Sequence, residues 1–148
     1  MRSLDSAHVV EMSFMTETIN STVAIVDDDP RVRVSIGDLL ESAGFTAKTF
    51  LSAEDFLDSG DQSKIGCLIT DMRMPGMNGL QLLEKIKQAQ PELPVVIVTG
   101  HQDSDIQARA LQEGAVGFFY KPFCDVELLH IVADASNRFK AIGNRVWT

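Results

Sequence analysis

Four short apolar runs in this chain each lead to a polar side chain suited to phosphoryl chemistry. Asp27 and Asp28 follow ThrValAlaIleVal, Asp71 follows CysLeuIleThr, Thr99 follows ValValIleVal, and Lys121 follows PhePheTyr. If these runs are strands of one open parallel α/β sheet, their carboxyl ends share the edge where ligands bind. Three carboxylates, a hydroxyl and an ammonium then converge there. A carboxylate trio without a cation repels itself, so the set makes physical sense around a hard divalent metal, Mg²⁺, bound through oxygen. Lys121 supplies a second positive charge for an anion that the metal also holds. The cluster reads as a phosphoryl site.

The elements that must position these groups are visible in the pattern. From Thr22 onward, apolar runs alternate with amphipathic stretches, as in a parallel sheet wrapped by helices. The spacing predicts strands over 22–26, 45–50, 65–70, 95–99 and 117–120. The first, third and fourth are nearly continuous Val, Ile, Leu and Ala, which places them in the centre with both faces covered. Helix one is predicted to start with Asp29 as N-cap and Pro30 at the first helical position, to carry Val32, Ile36, Leu39 and Leu40 inward, and to end at Gly44. Ser52 caps a short second helix, which Gly60 closes. Helix three runs over about 79–90 with Leu80, Leu83 and Ile86 inward, and Pro91 stops it. Helix four, about 104–113, has a weak stripe of Ile106, Ala110 and Leu111, and helix five is expected over about 125–141.

Bulk composition excludes several classes. A chain of 148 residues that is 45% hydrophobic is long enough for one core and short for two, so one domain is expected over 21–141. Residues 1–20 are then expected to be an N-terminal extension, whether a flexible tail, a vector-derived stretch or an upstream start with Met12 and Met15 as alternative starts, and 142–148 a tail or the start of a linker. The formal charge of −8 disfavours a nucleic-acid surface on this chain, because affinity for phosphate backbones comes from basic side chains. No apolar stretch approaches the roughly 20 residues needed to span a bilayer. Asp5, His8, Glu11 and Glu17 interrupt any secretory h-region, so a cytoplasmic location is expected. Two cysteines make no disulfide framework, and His8, His101 and His130 lack metal-ligand spacing.

The strings AIVDDDP, LITDMRMPGMNGL, VVIVTG and FFYKPF occur in that order at the ends of predicted strands one, three, four and five. On these strings the chain resembles the response-regulator receiver domains of bacterial two-component signalling, over about 22–140. The resemblance implies a five-stranded doubly wound parallel sheet of order 2-1-3-4-5. It implies Asp71 as acceptor of a phosphoryl group from a sensor histidine kinase or phosphotransfer protein. Mg²⁺ would be held by Asp28 and Asp71 directly, by the backbone carbonyl of Arg73, and by Asp27 through water. Thr99 would hydrogen-bond a phosphoryl oxygen, and Lys121 would pair with the phosphate ahead of a cis bond to Pro122. Arg73 and His101 occupy the positions that influence how long the acyl phosphate survives. Phe118 stands where the family carries a switch aromatic, and the output face, helix four with strand five and helix five, is where the family makes dimer or partner contacts. The pattern VRVSIGDLLESAGF with SAEDFL is similar to receivers that precede a helix-turn-helix domain, which makes regulation of transcription the expected output.

Each residue has a plainer reading. Asp29 before Pro30 is a helix cap and is left out of the metal set. Asp27 and Asp28 alone would be turn residues, Asp71 a loop carboxylate, Thr99 a strand residue, Lys121 a solvated charge and Phe118 a core ring. Among rival functions, a haloacid-dehalogenase-type phosphatase needs a second aspartate two residues after the nucleophile, where this chain has Arg73. A flavodoxin-like carrier needs a phosphate-cradling loop after strand one, where Asp27 to Asp29 would repel phosphate. A degenerate receiver that only binds proteins keeps the fold and drops the chemistry, against the intact Asp71, Thr99 and Lys121.

Overall fold

The computed structural model describes the backbone of residues 21–147 and the side chains of 21–139. The extension expected over residues 1–20 lies outside the described residues. Five strands, β1 (Thr22–Val26), β2 (Thr46–Phe50), β3 (Cys67–Thr70), β4 (Val95–Thr99) and β5 (Gly117–Tyr120), alternate with five α-helices. The helices are α1 (Pro30–Ser42), α2 (Ala53–Asp58), α3 (Gly79–Ala89), α4 (Ser104–Gln112) and α5 (Asp125–Trp147). All strand pairs are parallel, and the order is β2-β1-β3-β4-β5 as expected. Strand order reverses between β1 and β3, so the carboxyl ends of those two strands form the crevice of the sheet.

Alternation along the buried strands divides the core into two layers. Ala24, Val26, Leu68, Val95 and Ile97 pack with Ala53 and Phe56 of α2, Leu82, Leu83 and Ile86 of α3, and Ala110 of α4. On the opposite face Val23, Ile25, Ile69, Val96 and Val98 meet Ile36 and Leu40 of α1 and Leu128 and Val132 of α5. Each fully buried aliphatic side chain contributes roughly 1.5–3 kcal/mol, which is why the three central strands tolerate almost no polar residue. Edge strand β2 is partly exposed along its length, consistent with its TAKTF sequence.

The caps agree with the sequence signals. Asp29 accepts the Arg31 N–H at 2.9 Å with Pro30 opening α1, and Ser52 accepts the Asp55 N–H at 3.0 Å. Three expectations differ from the structure. β3 begins at Cys67 rather than at Ile65, because residues Gln62–Lys64 form a 3-10 turn, although Gly66 N–H already bonds Thr22 O at 2.8 Å. Leu111, expected to face inward, is 45% exposed, which leaves Ala110 as the one buried residue of α4. The helix α5 passes the expected end at about Ala141 and runs through Gly143 to Trp147. One glycine costs a helix only about 1 kcal/mol, too little to end it here.

Candidate functional site

Each of the polar residues singled out by the sequence is delivered by the end of a strand. Asp71 N–H bonds Val26 O at 2.9 Å and Asp27 N–H bonds Phe50 O at 3.2 Å, which extends the β3–β1–β2 ladder into the loops and fixes both aspartates. Lys121 N–H bonds Thr99 O at 2.7 Å and does the same for β5 and β4. The Lys121–Pro122 bond is cis.

These strand ends bring one oxygen each of Asp27, Asp28 and Asp71 within 4.8 Å of one another. Lys121 Nζ lies 3.1 Å from Asp27 Oδ2 and 3.7 Å from Asp71 Oδ1. Asp27 is almost fully buried and each of its carboxylate oxygens accepts one bond, Oδ2 from Lys121 and Oδ1 from the Asp29 N–H at 2.9 Å, which leaves lone pairs on both. Arg33 reaches back from α1 to donate to the backbone carbonyl of Asp27 at 2.7 Å. Asp28 is exposed, and no hydrogen bond or ion pair holds its carboxylate among the described residues. Asp71 Oδ1 accepts the N–H of Met72 at 2.8 Å.

Charge balance dominates this site. Burial raises the Asp71 carboxyl above its ordinary range, and the neighbouring Asp27 and Asp28 push in the same direction. Lys121 and the Met72 N–H pull it back without cancelling the effect. One ammonium faces three carboxylates. The donor set is entirely oxygen, compact, and short of positive charge, which fits a hard divalent cation such as Mg²⁺. Asp27, Asp28 and Asp71 would hold it. It would supply charge neutralisation for an incoming anion.

Thr99 is buried at the end of β4, and its hydroxyl accepts the His101 N–H at 3.2 Å. Arg73 and His101 are both exposed beside these strand ends. Phe118 is half-buried against the layer that includes α2 to α4, with its ring edge-to-face on Tyr120 at 5.4 Å between centroids. The Tyr120 hydroxyl donates to Gln107 Oε1 of α4 at 2.7 Å. Asp29, read as a cap, lies outside the acidic trio and is held by Arg31.

The turn after Asp71 is built for closeness. At Gly79 a Cβ would collide with the Asp71 carbonyl oxygen and lie 3.0 Å from Met72 Cα, so only glycine allows α3 to start this near the site. Asn78 caps α3 in a full capping box with Gln81. That Asn-x-x-Gln signal stands in the sequence, although periodicity and Pro91 alone set the expected bounds of the helix.

Fold and site together define a signalling receiver. Residues 23–133 match the model of the response regulator receiver domain, and the chain belongs to that family. It is 39% identical over 118 residues to the transcriptional regulatory protein FixJ of Bradyrhizobium diazoefficiens, covering 80% of this chain and 58% of that protein. It is 38% identical over 115 residues to the response regulator protein TodT of Pseudomonas putida, covering 78% of this chain and 51% of that protein. A crystal structure of a response regulator receiver domain protein from Clostridium thermocellum superimposes with a TM-score of 0.78 at 32% identity, covering 82% of this chain and 98% of that one. The chain thus spans little more than half the length of the curated relatives it matches. No helix among the described residues is long and apolar enough to cross a membrane.

Proposed function

We propose that this chain is the phosphoacceptor of a two-component system, and that Asp71 takes a phosphoryl group from the phosphohistidine of a sensor histidine kinase or phosphotransfer protein. The observation that carries this reading is the convergence of Asp71 with Asp27, Asp28 and Lys121 at the crevice between β1 and β3. In the transfer, a carboxylate oxygen of Asp71 forms the new bond to phosphorus. The phosphorus–nitrogen bond of the donor breaks, and its electron pair stays on the imidazole. A carboxylate is a weak nucleophile, so in-line positioning and charge neutralisation at the phosphoryl oxygens supply the rate.

Lys121, at 3.7 Å from Asp71 Oδ1, is the chain's own cation for the phosphoryl oxygens. It exchanges part of its pairing with Asp27 for the new anion. The Thr99 hydroxyl turns from the His101 N–H toward a phosphoryl oxygen, and Phe118 moves into the space released. Arg73 and His101 flank the acyl phosphate and set its lifetime, with slow self-dephosphorylation as the chain's only chemistry of its own. The output is a change at α4, β5 and α5, a face for a partner or a second copy of the chain, that controls transcription through the rest of a longer cytoplasmic regulator. The acidic balance of −8 disfavours direct DNA contact by this chain.

The switch is partial on energetic grounds. A swing from 1:99 to 99:1 takes about 5.5 kcal/mol of differential stabilisation, whereas one charge-assisted hydrogen bond from Thr99 supplies about 1.5–3 kcal/mol. Beryllofluoride, standing in for the phosphoryl group, is expected to shift amide NMR signals across α4, β5 and α5. In Thr99→Ala the analogue binds and the distal shifts shrink. Distal shifts of wild-type size in that variant would show that the coupling runs by another route.

A further inference from the structure

The loop between Asp71 and α3 carries Arg73, Met74, Pro75, Gly76 and Met77, and among the described residues these five make a single hydrogen bond. The Met77 N–H donates to Glu54 Oε2 at 2.8 Å, across a separation of 23 residues. Glu54 sits in the first turn of α2, where Ser52 caps the helix and orients that turn. At Gly76, with φ +79°, a Cβ would come 2.7 Å from the same Oε2 and 3.3 Å from Glu54 Cδ. The carboxylate therefore lies in the space that the bare glycine leaves. Met74 and the partly buried Met77 complete the contact by packing into the layer that holds Ala53 and Phe56 of α2. The Glu54 carboxyl is held below its ordinary range, chiefly by the Met77 N–H.

We propose that Glu54 is a positioning residue for the phosphoacceptor loop: its carboxylate latches Gly76 and Met77 so that the Arg73 carbonyl and Asp71 keep one arrangement toward the metal and the phosphoryl group. The proposal rests on the phosphoacceptor reading of Asp71. Beyond the latch, the loop is fixed at one end by Asp71 in the sheet ladder and at the other by the Gly79 N–H to Met72 O bond of 2.8 Å with the Asn78 capping box. Without Glu54, the stretch from 73 to 77 keeps only its methionine packing. A loop that holds the competent arrangement for a fraction of the time weakens apparent affinity by that fraction. Glu54 thereby links α2, on the far side of the sheet's crevice from Lys121, to the acid cluster it never touches.

Calorimetric Mg²⁺ titration, amide exchange at Met77, and the labelling rate with saturating acetyl phosphate and Mg²⁺ test this on the whole chain. Glu54→Ala is expected to weaken Mg²⁺ binding roughly tenfold, as for a loop in place about a tenth of the time, with faster exchange at Met77 and slower labelling. Glu54→Gln keeps an acceptor oxygen and restores most of all three. Gly76→Ala is expected to lower affinity at least as far as Glu54→Ala, because its methyl group meets the carboxylate and the φ of +79° strains any side chain there. A Glu54→Ala protein that melts lower but keeps wild-type Mg²⁺ affinity and labelling rate would overturn the proposal, as would a Gly76→Ala protein with wild-type affinity. If the wild type takes no phosphoryl group, the phosphoacceptor reading falls, while Mg²⁺ affinity and Met77 exchange still decide the role of Glu54.

Discussion

Asp71→Asn is expected to abolish phosphoryl uptake from acetyl phosphate and, at the same time, to raise the melting temperature of the metal-free protein. The first effect arises because the amide is no nucleophile and no other carboxylate of the trio shares its setting. Asp27 is engaged on both oxygens, and Asp28 stands out in solvent. The second comes from electrostatics. Burial, Asp27 and Asp28 together hold the Asp71 carboxyl above its ordinary value of 3.8. The folded state therefore keeps that proton over a pH range where the unfolded chain has already released it. By linkage, stability falls as pH rises from about 3.8 through the folded value, and at neutral pH the ionised Asp71 opposes folding. Asparagine removes that cost, so its advantage in melting temperature is full at neutral pH in the presence of chelator and shrinks in acid. Equal melting of the two proteins at neutral pH would contradict the charge balance described for the site, and undiminished labelling would remove Asp71 from its role.

The second large effect is expected at Asp28. Because Asp27 is occupied by Lys121 and the Asp29 N–H, Asp28 is the member of the trio whose carboxylate is committed to no partner among the described residues. Replacing it with alanine leaves the fold intact, since the side chain is exposed and packs against nothing in either layer of the core. On the proposed metal set, it removes one of few direct oxygen ligands. Loss of a charge-assisted contact worth about 1.5–3 kcal/mol lowers affinity by about 10- to 160-fold. Calorimetry or NMR titration with Mg²⁺ measures this directly. The same change at Asp27 would also strip Lys121 of its nearer carboxylate partner, so its result would mix two effects. Wild-type Mg²⁺ affinity in Asp28→Ala would refute the proposed metal set.

Much of this architecture is legible in the sequence, because strand ends and helix caps are local signals. A run such as CLIT is readable as a buried strand from its own four residues, and the residue after it then has one place to go. Asp29 and Ser52 are marked as caps by their immediate neighbours, a proline in one case and an amphipathic turn in the other. Contacts between distant segments leave no such trace. Nothing in SAEDFL reveals that Glu54 reaches the Met77 amide, and nothing in VRV reveals that Arg33 folds back on the Asp27 carbonyl. Both depend on how two elements cross. Leu111 misleads for a related reason: periodicity assigns it to a stripe, but α4 touches the layer through Ala110 and the side of Ile106, and the stripe is too narrow to include it. The end expected at about Ala141 has no strong stop signal behind it, and the backbone of α5 continues to Trp147.

Whether Asp71 carries the phosphoryl group is decided by trapping it. Phosphoramidate has the phosphorus–nitrogen bond of phosphohistidine, and borohydride reduces an aspartyl phosphate to homoserine. After incubation with phosphoramidate and Mg²⁺, reduction and peptide mapping are expected to return homoserine at position 71 and nowhere else, with none formed when Mg²⁺ is chelated. Homoserine at another aspartate, or none in folded protein supplied with Mg²⁺, would show that Asp71 is not the acceptor.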